Sequence, residues 1–239
     1  MNGAGQVRSE AWRGIKDALP VFAAVAPYAL VLGAQASRIN FSIADVGLMT
    51  GLNFAGGSEF AAIQLWASPP PLWTIVLVTF LINSRHIVMG AALAPFLRHL
   101  PKRKVLPALF FMADEGWAIS YADTLKRSLS HPQRRAFSFP YYLGVCISFY
   151  PVWVGFSILG TLVGPRLGDI EAYGFAMAFP AVFLVLVRSM WKSMRAARPW
   201  LVSLVVAAVV YLLAPGGWFV IAGTLSGMLA AYFWEPAAA

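Results

Sequence analysis

The chain has 239 residues, of which 59% are hydrophobic and only 12% are charged. A soluble domain carries roughly twice that share of charged residues, and the mean hydropathy here is +0.69. Several apolar runs reach the ~20 residues that a helix needs to cross a bilayer. The composition therefore excludes an ordinary soluble protein and predicts a polytopic membrane protein.

The net charge of +8 comes from basic residues that flank the apolar runs. Short basic loops beside membrane spans face the cytoplasm, so we expect all of these clusters, and the N-terminus, to be cytoplasmic. The four clusters are Arg8, Arg13 and Lys16; Arg98, Lys102, Arg103 and Lys104; Lys126, Arg127, Arg134 and Arg135; and Arg188, Lys192, Arg195 and Arg198. The single cysteine, Cys146, excludes an internal disulfide and a multi-cysteine metal site.

Eight apolar segments follow in chain order, at about 19–36, 44–66, 72–97, 105–122, 139–163, 173–190, 200–214 and 217–234. Segments seven and eight are expected to form a hairpin that turns at "APGG". No long linker or obvious internal repeat is present. We therefore predict a short cytoplasmic segment, residues 1–18, followed by a single transmembrane permease domain, residues 19–239.

Segments two and four do not fit as simple crossings. Three segments lie between two cytoplasmic basic clusters, the N-terminus and 98–104, and segment four is itself bracketed by basic clusters. Each interval needs an even number of crossings, so segments two and four are predicted to be broken or re-entrant. The predicted fold is an all-α membrane protein with about six full transmembrane helices and these two broken segments.

The same two segments carry ionisable residues at membrane depth. These are Glu59 in segment two and Asp114 and Glu115 in segment four, with Arg85 and His86 in segment three. Such residues usually face the interior and mark a solute or ion pathway. Burial and a like-charged neighbour would favour a protonatable carboxyl group. The alternative is an internal hydrogen-bond network that only fixes the positions of the helices.

Gly56 and Gly57 interrupt the helical pattern of segment two. We expect Ser58 to cap a half-helix that begins near Glu59, with free N–H groups pointing into a cavity. Half-helix N-termini of this kind hold substrate carboxylates in several transporters. The alternative is that the two glycines merely allow close packing of helices.

Two further polar residues belong to segment three. Asn83 and His86 are three residues apart and share one helix face. Arg85 points about 100° away from that face and needs an acidic partner of its own.

No catalytic motif is present: the chain has no H-E-x-x-H, no G-x-S-x-G and no glycine-rich phosphate loop. An enzyme is therefore not predicted, and neither a cofactor nor a metal site is expected.

Three ordered motifs resemble those of the AzlC family of bacterial permeases. They are "FAGGSEFAA", then "INSRHIVMGAALAPFL", then "FMADEGWA", and the later "GFAMAFPAVFLVLV" also fits. Glu59 departs from this family pattern, which usually has glutamine there. Ala176 stands where the family has an aspartate, and Gly116-Trp117 replaces the usual pair after Asp-Glu.

The resemblance implies transport, in the direction of export, of branched-chain or similar small apolar amino acids across the bacterial inner membrane. It also implies a small hydrophobic partner subunit of the AzlD family. Proton coupling through one carboxyl group is a further expectation. The alternatives are a non-transporting assembly subunit or a permease for a different small solute. The expected substrate-binding residues are Asn53, Gly56, Gly57, Ser58, Glu59, Asn83, Arg85, His86, Asp114 and Glu115.

Overall fold

The computed structural model describes residues 3–130, 136–166, 193–214 and 218–234, and within them all regular structure is helical. The predicted segment six lies outside the described residues. The helices, numbered here in chain order, are α1 (Gly3–Arg38), α2 (Ile43–Asn53), α3 (Gly56–Leu65), α4 (Leu72–Asn83), α5 (Arg85–Leu97), α6 (Lys102–Phe110), α7 (Asp114–Ser130), α8 (Phe139–Val163), α9 (Met194–Leu213) and α10 (Trp218–Trp234).

Three stretches are long and apolar enough to cross a membrane, by length and composition. They are Gly5–Arg38, Leu72–Leu97 and Phe139–Arg166, and two shorter apolar helices follow at Ala197–Leu213 and Ile221–Trp234. The prediction of an all-α polytopic membrane protein is thus confirmed. Helix α1 passes through the predicted boundary at residue 18 without interruption. Residues 3–18 contain no proline, the residue least compatible with a helix interior.

Helices α1 and α8 form the centre of the molecule and run parallel to each other. A Cβ atom added at Gly14 would lie 2.4 Å from the carbonyl oxygen of Tyr141, and one at Gly33 would lie 1.8 Å from that of Ser157. Residue numbers thus rise together along both helices, so both start at the same end. We call this the proximal end and the end that holds Arg38 the distal end. Glycine allows this backbone contact because it has no side chain.

Segment two is a re-entrant hairpin at the distal end. Helix α2 starts five residues after α1 ends, and Phe54 stops it by adopting a left-handed backbone conformation (φ 48°, ψ 46°). Helix α3 then returns to the distal end. The ring of Trp66, which follows α3, lies 4.7 Å from the ring of Phe41, which precedes α2. The predicted break in segment two is confirmed.

Segment four is a second re-entrant hairpin, and it enters from the proximal end. Arg103, in the first turn of α6, borders the same groove as Phe139 at the start of α8. After an interruption at residues 111–113, α7 returns to the proximal end, where Asp123 contacts Arg13 of α1. The predicted break in segment four is also confirmed.

Helices α4 and α5 together cross from the distal to the proximal end, where Phe96 stacks on Phe137 at a centroid distance of 6.0 Å. The chain thus contains the same arrangement twice, a span followed by a re-entrant hairpin. The second copy runs in the opposite direction to the first. Inverted repeats of this kind are common in transporters. The sequence analysis missed this repeat because α1–α3 and α4–α7 share their arrangement of helices and show no obvious repeat of residues.

Helices α9 and α10 form the predicted hairpin. A Cβ atom at Gly223 would lie 2.9 Å from Ala207, and one at Gly227 would lie 2.9 Å from Ser203. Residue numbers run in opposite directions along the two helices, so they are antiparallel.

Candidate functional site

The two helix breaks meet at a cavity of about 60 Å³ beside the middle of α1 and α8. This volume holds on the order of four or five water molecules, at ~10–15 Å³ each. Six of the ten predicted site residues line it, namely Gly56, Gly57, Arg85, His86, Asp114 and Glu115. The cavity as it stands is too small for a leucine molecule.

An ion pair crosses the cavity. Arg85, the first residue of α5, contacts Asp114, the first residue of α7, with 2.6 Å between Nη1 and Oδ2. The side chains are 33% and 28% exposed, respectively. The sequence predicted an acidic partner for Arg85, and the structure identifies it as Asp114. The Nε atom of Arg85 is buried with no hydrogen-bond acceptor, so the guanidinium group retains a donor.

Glu115 and His86 line the cavity beside this pair. The Nδ1 atom of His86 lies 3.0 Å from the carbonyl oxygen of Asn83. Because a carbonyl only accepts, this contact places a proton on Nδ1. Glu115 follows Asp114, so two carboxyl groups and one guanidinium group surround the same small volume.

Glu59 lies outside the cavity lining and holds the first break together. Its Oε1 atom accepts a hydrogen bond from the Ala55 N–H at 2.9 Å, and its Oε2 atom accepts one from Trp153 Nε1 at 2.8 Å. Asn53 Nδ2 approaches Oε1 at 3.4 Å. All three partners are donors, so both oxygens of the carboxyl group act as acceptors. The side chain is 1% exposed.

The predicted helix cap at Ser58 is wrong. Helix α3 begins at Gly56 with Ala55 as its N-cap residue, so Ser58 already lies inside the first turn. Its hydroxyl group donates to the Ala55 carbonyl at 2.9 Å. The helix starts earlier than expected because left-handed Phe54 ends α2 and because Glu59 binds the Ala55 N–H.

The remaining predicted residues form a hydrogen-bond network next to the cavity. Asn53 Nδ2 donates to Ser58 Oγ at 2.9 Å, and Asn83 Nδ2 donates to Asn53 Oδ1 at 3.2 Å. The network joins the first break to the end of α4. It corresponds to the alternative interpretation, in which intramembrane polar residues fix helix positions, and it coexists with the charged cavity.

The sequence analysis missed an aromatic wall of the cavity, made of Tyr28, Phe54, Phe149 and Trp153. The rings of Tyr28 and Trp153 are 5.5 Å apart. A Cβ atom at Gly56 would lie 2.7 Å from the Trp153 ring, so this position accommodates only glycine without a shift. The available signal was the spacing of Phe149 and Trp153, which are four residues apart and therefore share a helix face.

Among the described residues, no group of three or more His, Cys, Asp and Glu side chains is arranged to hold a metal ion.

A helical membrane protein in which two broken helices enclose a charged cavity has the architecture of a membrane transporter. Residues 20–167, more than half of the chain, match the family model described as AzlC protein, and the chain belongs to the AzlC family. The family resemblance seen in the motifs is thereby confirmed.

Three relatives illustrate the family. The branched-chain amino acid transport protein AzlC of Bacillus subtilis is 22% identical over 92% of this chain and 84% of its own length. The inner membrane protein YgaZ of Escherichia coli is 27% identical over 71% of this chain and 64% of its own length, just under two thirds. A membrane protein of Archaeoglobus fulgidus is 29% identical, over 73% of each chain. No solved structure matches the chain.

Proposed function

We propose that the chain transports branched-chain or similar small apolar amino acids, in the direction of export, as the large subunit of a complex with a small AzlD-like membrane protein. The supporting observation is the Arg85–Asp114 ion pair, which lies in a small cavity between two helix breaks that is also lined by aromatic residues. A zwitterion with an apolar side chain matches these three features. The transport of branched-chain amino acids by the Bacillus subtilis relative supports the solute class.

The charges of a zwitterion can replace those of the ion pair. The substrate carboxylate would bind Arg85, whose Nη2 atom lies 3.6 Å from the Cβ position of Gly57, close to the start of α3. The substrate ammonium group would bind Asp114 and Glu115. Every charge then keeps a partner when the pair separates, which avoids the cost of an uncompensated charge at membrane depth.

The apolar side chain of the substrate would contact Tyr28 and Trp153, two of the aromatic residues that line the cavity. Because the cavity now holds only a few waters, entry requires a movement that widens it. The re-entrant hairpins are the natural moving parts, since each is interrupted at the cavity by a short non-helical stretch.

Sidedness and coupling complete the proposal. The proximal end carries basic residues from the first three clusters, so the positive-inside rule assigns it to the cytoplasm of the bacterial inner membrane, with the N-terminus inside. Glu115 is the proposed coupling group: it borders the cavity beside Asp114, and a proton on one of two adjacent carboxyl groups removes their repulsion.

The test is solute flux in proteoliposomes. The purified protein would be reconstituted into proteoliposomes alone and together with a co-purified AzlD-family subunit. The vesicles would be loaded with labelled leucine, isoleucine or valine, and efflux would be followed with and without a proton gradient. We expect efflux of these three solutes and little efflux of lysine or glutamate. Arg85→Gln removes the proposed carboxylate partner, whereas Arg98→Gln removes a charge remote from the cavity and serves as the matched control.

Three results would contradict parts of the proposal. No flux in either preparation would favour the assembly role, for which the Asn53–Asn83 hydrogen bond is the structural argument. Full flux by the chain alone would remove the need for a partner. Flux that is the same for charged and apolar amino acids would place the specificity elsewhere.

A further inference from the structure

A groove of about 400 Å³ lies between α6 and α8 at the proximal end, separate from the central cavity. Arg103 and Lys104 border it at one side, and its apolar lining includes Leu143 and Ile147 of α8. The groove follows α8 from Phe139 to Ile147, a distance of about 12 Å at 1.5 Å per residue. It is thus a charged site continued by a narrow apolar surface.

Within the described ranges, the basic side of this groove has no acidic partner. Neither Lys102, Arg103 nor Lys104 takes part in an ion pair among the described residues, and no acidic residue occurs between Arg98 and Ala113. A second basic group at the same end is compensated. There Arg13 and Arg127 contact Asp123 and Glu10. The difference indicates that the α6 cations are available to an anion from outside the chain.

The apolar lining restricts what that anion can be. Ile147 is 45% exposed, and Leu143 is half-buried beside it. A water-soluble phosphate would use only Arg103 and Lys104 and would leave this surface uncovered. A molecule with a phosphate at one end and a hydrocarbon chain at the other matches both parts of the groove.

We propose that the α6–α8 groove binds one anionic glycerophospholipid. Its phosphate lies between Arg103 and Lys104, and an acyl chain covers Leu143 and Ile147. The groove extends to Phe111 at the second helix break, so the bound lipid packs against the entering arm of the re-entrant hairpin and stabilises its position. This site goes beyond the proposed transport function and does not depend on it.

The test compares lipid binding by two variants of equal charge. Native mass spectrometry of the full chain in detergent would measure binding of phosphatidylglycerol, with phosphatidylcholine as the neutral lipid. Arg103→Gln/Lys104→Gln removes both groove cations, and we expect phosphatidylglycerol binding about 30-fold weaker, from ~1 kcal/mol per basic residue. Arg98→Gln/Lys102→Gln removes two cations that do not line the groove, and we expect a change of less than about threefold.

The apolar half of the site has its own variant. Ile147→Trp fills the groove without changing the charge, and we expect it to weaken phosphatidylglycerol binding by about tenfold while phosphate binding is unchanged. All variants would first be checked for an unchanged elution profile and melting temperature without added lipid.

Several outcomes would overturn the proposal. An equal loss in both double variants would mean a general surface attraction of the basic loop. Competition by inorganic phosphate at the same concentration as lipid would mean a free-anion site. Equal binding of phosphatidylcholine, or no effect of Ile147→Trp, would mean that the groove does not select an anionic lipid.

Discussion

Trp153 of α8 donates a hydrogen bond of 2.8 Å to Glu59 of α3, and this bond joins the wall of the cavity to the first helix break. The indole ring lines the cavity while the carboxylate lies behind it. Glu59 also accepts from the Ala55 backbone. A single side chain thus fixes both the start of α3 and the orientation of one aromatic ring.

Replacing Glu59 with glutamine tests this role. The amide has one acceptor and one donor group, so one of the two N–H partners, Ala55 or Trp153, would face another donor. We expect Glu59→Gln to cost about 1–3 kcal/mol, the usual penalty for an unsatisfied buried polar group, and to lower the melting temperature. Substrate affinity would fall because Trp153 is released, whereas the pH dependence of transport would be retained.

A double-mutant cycle provides the control. Trp153→Phe removes the indole donor, so the stability loss of Glu59→Gln/Trp153→Phe is expected to be smaller than the sum of the two single losses. Strict additivity would show that the hydrogen bond contributes nothing. A Glu59→Gln variant of normal stability whose transport no longer responds to pH would instead make Glu59 the coupling group.

The Arg85–Asp114 pair is expected to be essential for transport. Arg85→Gln or Asp114→Asn leaves one charge uncompensated at membrane depth, so we expect loss of transport and a lower yield of folded protein. Combining both changes removes both charges and restores the yield in part, without transport. Yield is measured by size-exclusion chromatography of the tagged protein.

The matched control pairs Arg85→Gln with Glu59→Gln. Because Glu59 is bound to Trp153 and Ala55 rather than to Arg85, this combination is not expected to restore the yield. If Glu59→Gln restored the yield and Asp114→Asn did not, the charge partner of Arg85 would be Glu59 and not Asp114.

Opposite ends of the molecule are expected to label differently. Lys102 lies at the proximal end, and Asn40 follows α1 at the distal end. In a Cys146→Ala background, Asn40→Cys should react with an impermeant thiol reagent added to intact cells, and Lys102→Cys only after the membrane is opened. Labelling of Lys102→Cys from outside would contradict the re-entrant arrangement of α6–α7 together with the inferred orientation.

A bidentate contact at the proximal end holds the returning arm of the second hairpin. Arg13 donates to both oxygens of Asp123, at 2.9 and 3.0 Å. We expect Asp123→Asn to destabilise the protein by about 1.5–3 kcal/mol, the range for hydrogen bonds to charged groups, and to raise hydrogen exchange in residues 120–130. Arg8→Gln changes the charge nearby without breaking this contact and is the control. Unchanged exchange in Asp123→Asn would show that the arm is held elsewhere.

The two helix breaks were accessible from the sequence because the argument for them depends on residue type. Basic clusters mark one side of a membrane, and the even number of crossings between them identified both broken segments. The choice of Asp114 over Glu59 as the partner of Arg85 was not accessible. It depends on where α7 starts relative to α5, and the sequence pattern does not define that distance.

The start of α3 and the position of Trp153 could not be predicted from the sequence either. A left-handed Phe54 is uncommon for a bulky residue, so the start of α3 at Gly56 could not be assigned from capping preferences. Trp153 belongs to a residue type that usually anchors helices at membrane interfaces. Its contacts with Gly56 and Glu59 depend on how α3 packs beside α8.

The close parallel packing of α1 and α8 has a consequence for how solute preference can change. Tyr28 and Trp153, whose rings are neighbours in the cavity wall, belong to α1 and α8 respectively. The separation of these helices is fixed by glycines, since a Cβ at Gly33 or Gly160 would meet a carbonyl oxygen of the other helix at 1.8 or 2.2 Å. A single added methyl group would therefore push the two backbones apart and move the two rings with them. Evolution or engineering can thus alter the size of the cavity at positions that do not line it.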